Sequence, residues 1–212
     1  MTTPGEAVSA TLRELDDATR ILIRLAAVVA AGNGAEVRTL LAEANCGVPH
    51  IWIEELLLQS YLFAGFPRAL NAVGEWRRLV PTPVEAAPES AHVAEWVTRG
   101  LAACRAVYGS MYEKLRANIQ ALHPALDSWM IVEGYGKVLS RPGLDLPRRE
   151  LCIIAACVAS GQERQLNSHL HGALNVGVVP DVVRQALDAL GPVVPRAPIE
   201  AAMLLFARIA GK

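Results

Sequence analysis

The 212-residue chain carries 20 basic and 21 acidic residues, a net charge of −1 and a pI of about 6.5, and it has no basic run, which argues against a nucleic-acid partner. Hydrophobic residues make up 52% of it but aromatics only 5%, so its apolar content is mostly Ala, Val and Leu, residues suited to close helix packing. The longest apolar stretches, Ile21–Ala31 and Leu151–Ala159, fall far short of the roughly 20 residues that a membrane span needs, and Arg24 interrupts the first.

The N-terminal MTTPGEAVSA lacks the basic start and apolar run of a signal peptide. Cys46, Cys104, Cys152 and Cys157 follow no metal or disulfide spacing. Together these features predict a cytoplasmic protein whose four reduced thiols serve as small buried apolar residues.

Asp16 is placed to cap a first helix, which runs through a nearly continuous apolar stretch to Gly32, where glycine can adopt the left-handed terminating conformation. A second helix reaches Gly47, a third starts near Pro49, and Phe66-Pro67 precedes a fourth. A proline-rich linker, Leu79–Ser90, leads to further helical sequence broken at His123-Pro124. Tyr108-Gly109 and Gly134-Tyr135-Gly136 read there as helix ends.

The opening pattern then returns. Asp145 is a cap, Pro147 suits a first turn, Gly161 ends the helix, and a second helix runs to Gly177. A third starts at Pro180 with Asp181 as its cap, and Ala197-Pro198 precedes the last. LDDATRILIRLAAVVAAG from Leu15 aligns without a gap over LDLPRRELCIIAACVASG from Leu144, an offset of 129 residues. After a one-residue gain, LLAEANCGVP from Leu40 lies over LHGALNVGVVP from Leu170. The predicted fold is all-α, with two pseudo-repeated helical-hairpin units related by a pseudo-twofold. Residues 1–80 form a degenerate first unit, 81–143 a linker and helical insert, and 144–212 the second unit, which carries the candidate site.

LSRPGLDLPRREL followed by SHLHGALNVGV resembles the carboxymuconolactone decarboxylase family. The residues that carry the resemblance are Arg141-Pro142-Gly143-Leu144, His169 and Ala173-Leu174-Asn175-Val176-Gly177-Val178, with LLLQSYLFAGFP in the first unit similar to the family's closing segment. The resemblance implies an alkylhydroperoxidase D-like fold and one of two chemistries. One branch uses two thiols ahead of the histidine, but Gln162 and Gln165 stand at those positions, so hydroperoxidase activity is disfavoured. Glu150 matches a glutamate of that branch's proton relay. The decarboxylase branch places a glutamate four residues before the histidine, and here that position is again Gln165, which cannot take a proton.

His169 is the predicted proton carrier, with Glu150 or Glu133 as its carboxylate. Gln165, Gln162 and Tyr135 are the candidate substrate-binding residues. In the first unit Thr39 and Leu41 stand opposite His169 and His171, so the site belongs to the second. The four tryptophans read as helix-packing residues. No metal or cofactor is implied, since ligands do not cluster and no phosphate-cradling glycine loop is present.

The expected function is acid–base chemistry of a lyase type on a small organic acid, lactone or carbonyl compound. The alternative is a non-catalytic ligand-binding or assembly member of the family. High apolar content with only 19% charged residues further predicts a homo-oligomer, a trimer if two fused units close the rings of six that single-unit members of the resembling family form.

Overall fold

The computed structural model describes residues 11–82 and 92–211. The N-terminal MTTPGEAVSA and residues 83–90 of the proline-rich linker lie outside the described residues. Among those described, the fold is all-α. Its one extended pairing sets Leu12 beside Val178, with Leu12 N–H donating to Gly177 O at 3.0 Å and Val179 N–H to Leu12 O at 3.2 Å.

Four helices form the first half: α1 Asp17–Ala31, α2 Gly34–Gly47, α3 His50–Ala64 and α4 Phe66–Leu79. Next come α5 Val93–Tyr108, a 3₁₀ turn at Gly109–Met111, α6 Tyr112–Leu122 and α7 Pro124–Trp129. A π-helical segment, Met130–Leu139, continues directly from α7. The second half comprises α8 Leu146–Ser160, α9 Glu163–Asn175, α10 Pro180–Asp188 and α11 Arg196–Ala210.

α1 and α8 form the centre and start alike. Asp16 accepts from Thr19 N–H at 2.7 Å, and Asp145 accepts from Arg148 N–H at 2.9 Å. The Arg148 guanidinium then joins the two caps, reaching Asp145 at 2.6 Å and Asp16 at 2.7 Å, and lies over the Trp52 ring. The N-terminal ends of the two helices are thereby held side by side. From Leu22 to Ala30 in α1, only Arg24 escapes burial, and α8 is buried from Arg149 through Val158. Both helices are covered on nearly every side, as their continuous apolar runs require.

Gly161 ends α8 in the left-handed conformation at φ 70°. Gly32 does not do the same for α1: its φ is −75°, and what it supplies is space, because a Cβ there would meet the Val28 side chain at 2.7 Å. Asp181 is likewise not the cap of α10. It lies within the first turn and accepts from Gln185 Nε2 at 2.8 Å.

Gly134-Tyr135-Gly136 does not end a helix either; it lies inside the π-helical segment. The reason is a close crossing with α5. A Cβ on Gly136 would fall 2.0 Å from Trp96 O, and one on Gly100 would fall 2.1 Å from Ile131 O. Glycine on both partners lets the two backbones touch. Gly109 does close α5 at φ 50°, and Asn175 of the Ala-Leu-Asn motif donates to Val107 O at 2.8 Å, tying α9 to the end of α5.

A buried polar network joins the two halves. Arg149 of α8 donates to Glu55 of α3 at 2.7 Å, Gln59 at 3.0 Å, Leu144 O at 3.0 Å and Arg141 O at 3.1 Å. Arg141, of the Arg-Pro-Gly-Leu turn, also donates to Glu55 at 3.1 Å. Glu55 and Arg149 are fully buried. Burial pulls the Arg149 guanidinium below its ordinary pKa, against the opposing influence of Glu55. Cys104, Cys152 and Cys157 are buried in the core, whereas Cys46 is exposed, contrary to its reading as a core filler. Trp129 is 61% exposed and therefore is not a core-packing residue.

Candidate functional site

α8 and α9 adjoin, and their packing brings two of the predicted site residues together. His169 Nδ1 lies 2.8 Å from Glu150 Oε2, with His169 only 5% exposed and Glu150 wholly buried. An ionised carboxylate can only accept, so Nδ1–H donates and the other ring nitrogen, Nε2, is left unprotonated in the neutral tautomer. Gly172, one turn along α9 from His169, makes room for the carboxylate: a Cβ there would come within 2.7 Å of Glu150 Oε2. Phe63 of α3 packs edge-on against the imidazole with centroids 5.7 Å apart. This contact brings the first half of the chain to a site carried by the second.

Glu150 Oε1 has no hydrogen-bond partner among the described residues. Two phenols from the middle of the chain stand close to this carboxylate. Tyr108 and Tyr135 meet edge to face at 6.2 Å and share a hydrogen bond, and the Glu150 charge acts on both. Burial is the chief cause that raises the Tyr108 phenol to about 12 and lifts Tyr135 well above its ordinary value. Both therefore remain protonated donors across the physiological range.

His169 opens onto a cavity of about 440 Å³ that also contains Gln165, Tyr135, Tyr108 and Glu133 on its wall. The size fits a small organic ligand. Gln165 is exposed there, one turn before His169. Glu133 lines the same space from the π-helical segment, but it is half-exposed, lies 3.6 Å from Lys137 and bonds Tyr61. The carboxylate bonded to His169 is Glu150, with Glu133 farther along the wall. Gln162 is separated from these residues: it precedes α9 and faces a different groove of about 870 Å³ beside α11. His171 is exposed.

Sequence reasoning did not single out Phe63, Tyr108 or Arg164, which also line the cavity. Phe63 and Tyr108 lie far from His169 along the chain, and no local pattern marks them. Glu133 and Tyr135 both line the cavity from the π-helical segment.

Comparison with known proteins bears on this arrangement. The carboxymuconolactone decarboxylase family model matches residues 128–207, a span that holds Glu133, Tyr135, Glu150, Gln165 and His169. Peroxisomal protein 2 of Schizosaccharomyces pombe is 32% identical over 137 residues, covering 63% of this chain and 64% of that protein. 4-Carboxymuconolactone decarboxylase of Acinetobacter baylyi is 40% identical over 53 residues, covering 25% of this chain and 40% of that protein. The chain thus spans less than two thirds of the length of each of these relatives.

Proposed function

From the premise that residues 128–207 belong to the carboxymuconolactone decarboxylase family, we propose that the chain is an enzyme performing acid–base chemistry on a small organic acid, lactone or related carbonyl compound. The observation that carries this reading is the buried His169–Glu150 pair at 2.8 Å on the edge of a ligand-sized cavity. With Nδ1–H held by Glu150, Nε2 takes a proton from a carbon next to a carbonyl, and the carboxylate stabilises the resulting imidazolium. For a decarboxylation the protonated imidazole acts instead. The C–C bond breaks, CO₂ leaves, the electron pair passes into a conjugated carbonyl, and His169 returns a proton to carbon. Gln165 donates from the cavity wall to a substrate oxygen, and Tyr135, on the same wall, is the second polar contact for the substrate. Gln162 has no part in this reading, because it faces the other groove.

The test is turnover of carboxylated lactones and simple β-keto acids by the wild type and two variants. His169→Ala and Glu150→Gln should each lower kcat about 10²- to 10⁴-fold while leaving the fold intact by circular dichroism. Full activity in either variant overturns the assignment.

A second reading, a non-catalytic ligand-binding or assembly role, is favoured by one observation: an amide, Gln165, occupies the position where the resembling decarboxylases carry a carboxylate. Binding without turnover in the same assay selects it. Hydroperoxide reduction is disfavoured, with Gln162 and Gln165 at the thiol positions and the core cysteines held protonated by burial.

We further propose that α1–α4 and α8–α11 descend from one duplicated unit. The paired caps Asp16 and Asp145 and the side-by-side packing of α1 and α8 support this. We also propose a homo-oligomer, a trimer, supported by Phe66, Leu70 and Leu204, each more than 60% exposed. Unpaired thiols suit a reducing compartment, and we propose the cytoplasm. The name of the S. pombe relative makes the peroxisome the location to test against it. No helix among the described residues is long and apolar enough to cross a membrane.

A further inference from the structure

The cavity beside His169 has a marked chemical character. Its outer wall is built by α6 and α7, which contribute Leu115, Ile119, Leu126 and Trp129, with Phe63 and Leu139 behind them. Leu126 and Trp129 are 48% and 61% exposed, so apolar surface faces the opening as well as the interior. An apolar opening of this kind marks contact with an apolar ligand more than with a heavily hydrated one.

The charges agree. Among the lining residues Arg164 is the one lysine or arginine, exposed and making no ion pair with a described residue. Glu133 lies on the wall, and Glu150 stands behind His169. Lys137 already lies 3.6 Å from Glu133 and His169 is bonded to Glu150, so a dianion entering here would find its cation in Arg164 alone, and its second charge would lose water without gaining a partner. A singly charged head needs only Arg164.

We infer that the cavity takes a monoanionic amphiphile, with one carboxylate-type head between Arg164 and His169 and a single apolar tail along the α6–α7 wall. The inference rests on the preceding reading of His169 as the working group, and it narrows the substrate class to compounds that a small dicarboxylate does not represent. The α6–α7 hairpin selects the tail, and the α8–α9 pair acts on the head.

The full chain should be titrated calorimetrically with octanoate, octanol and adipate. Octanoate should bind at least about tenfold more tightly than adipate, since several buried methylenes favour it and the second carboxylate opposes its rival. Ile119→Asp should weaken octanoate at least about tenfold by placing charge on the apolar wall. Trp129→Ala, at an exposed position that tolerates truncation, should weaken it in the same direction. Arg164→Gln should weaken octanoate and leave octanol unchanged. His169→Ala should retain the preference for octanoate over adipate, so loss of turnover and loss of tail selection are separate results. Adipate binding as tightly as octanoate, no octanoate binding, or folded Ile119→Asp and Trp129→Ala proteins that bind octanoate normally would each overturn the inference.

Discussion

At the scale of single residues, burial governs which groups can react. Desolvation holds the Cys104 and Cys157 thiols up to about 12 and lifts Cys152 further, so none supplies thiolate at neutral pH. Cys46 is exposed. In the native protein at pH 8, a thiol-reactive chromogenic disulfide should therefore modify Cys46 rapidly and the other three only after denaturant is added. Rapid labelling of the native Cys46→Ser variant would contradict this. The same sign predicts that raising pH from 7 to 9 leaves the three core thiols of the native protein unlabelled, because they titrate well above that window. Gly172 belongs to this scale too, since Glu150 can lie against α9 only where no Cβ intervenes.

At the scale of elements, the crossing of α5 with the π-helical segment determines where Tyr135 and Glu133 stand. Its two glycines leave no volume for a methyl group, since a Cβ on either would stand only 2.0 or 2.1 Å from a backbone oxygen of the other strand of the crossing. Gly136→Ala should lower stability by about 3 kcal/mol, near the upper end of overpacking costs, and depress Tm in a thermal melt. An unchanged Tm would mean that the crossing can open at no cost. The α6–α7 hairpin is held differently. Its buried residues are few, and the Arg116 guanidinium grips Asp127 through Nη2 at 2.7 Å and through Nε. The hydrogen bond from Arg116 holds the Asp127 carboxyl below its usual range. That contribution is present above the unfolded-state value and is lost as pH falls through the folded one. Limited digestion with an acid-active protease should therefore cut the hairpin faster below about pH 4 than at about pH 5 to 6, and Asp127→Asn should remove that part of the pH dependence.

At the scale of the whole molecule, a buried ion cluster joins α3 to α8. Breaking such a pair leaves a charge in the interior without compensation, so Glu55→Gln should cost about 3–5 kcal/mol in denaturant unfolding. Arg149 has three further acceptors in Gln59, Leu144 and Arg141, which should keep the variant folded but less stable. A loss under about 1 kcal/mol would show that the cluster contributes little beyond its hydrogen bonds. Assembly is tested at this scale as well. Light scattering at micromolar concentration should report three times the 22.7 kDa chain mass, and a monomer would sink the proposed trimer.

Much of the architecture was legible in the sequence because it depends on local chemistry. Asp16 and Asp145 cap where they stand, apolar periodicity makes helices, Pro147 and Gly161 bound α8, and the family resemblance of the segment around His169 marked the residue that lines the cavity. Where the local rules failed, a distant contact had prevailed. Gly134 and Gly136 looked like breakers, yet a glycine facing α5 serves close approach and the helix continues. The bond of Glu150 rather than Glu133 to His169 was decided by the packing of α8 on α9, and Gln162 was turned to another groove by the first turn of α9. Phe63 and Tyr108 reached the cavity from remote segments. Capping and periodicity act within a few residues along the chain, whereas the grouping of side chains around this cavity is set by distances across it, and only tertiary packing determines those.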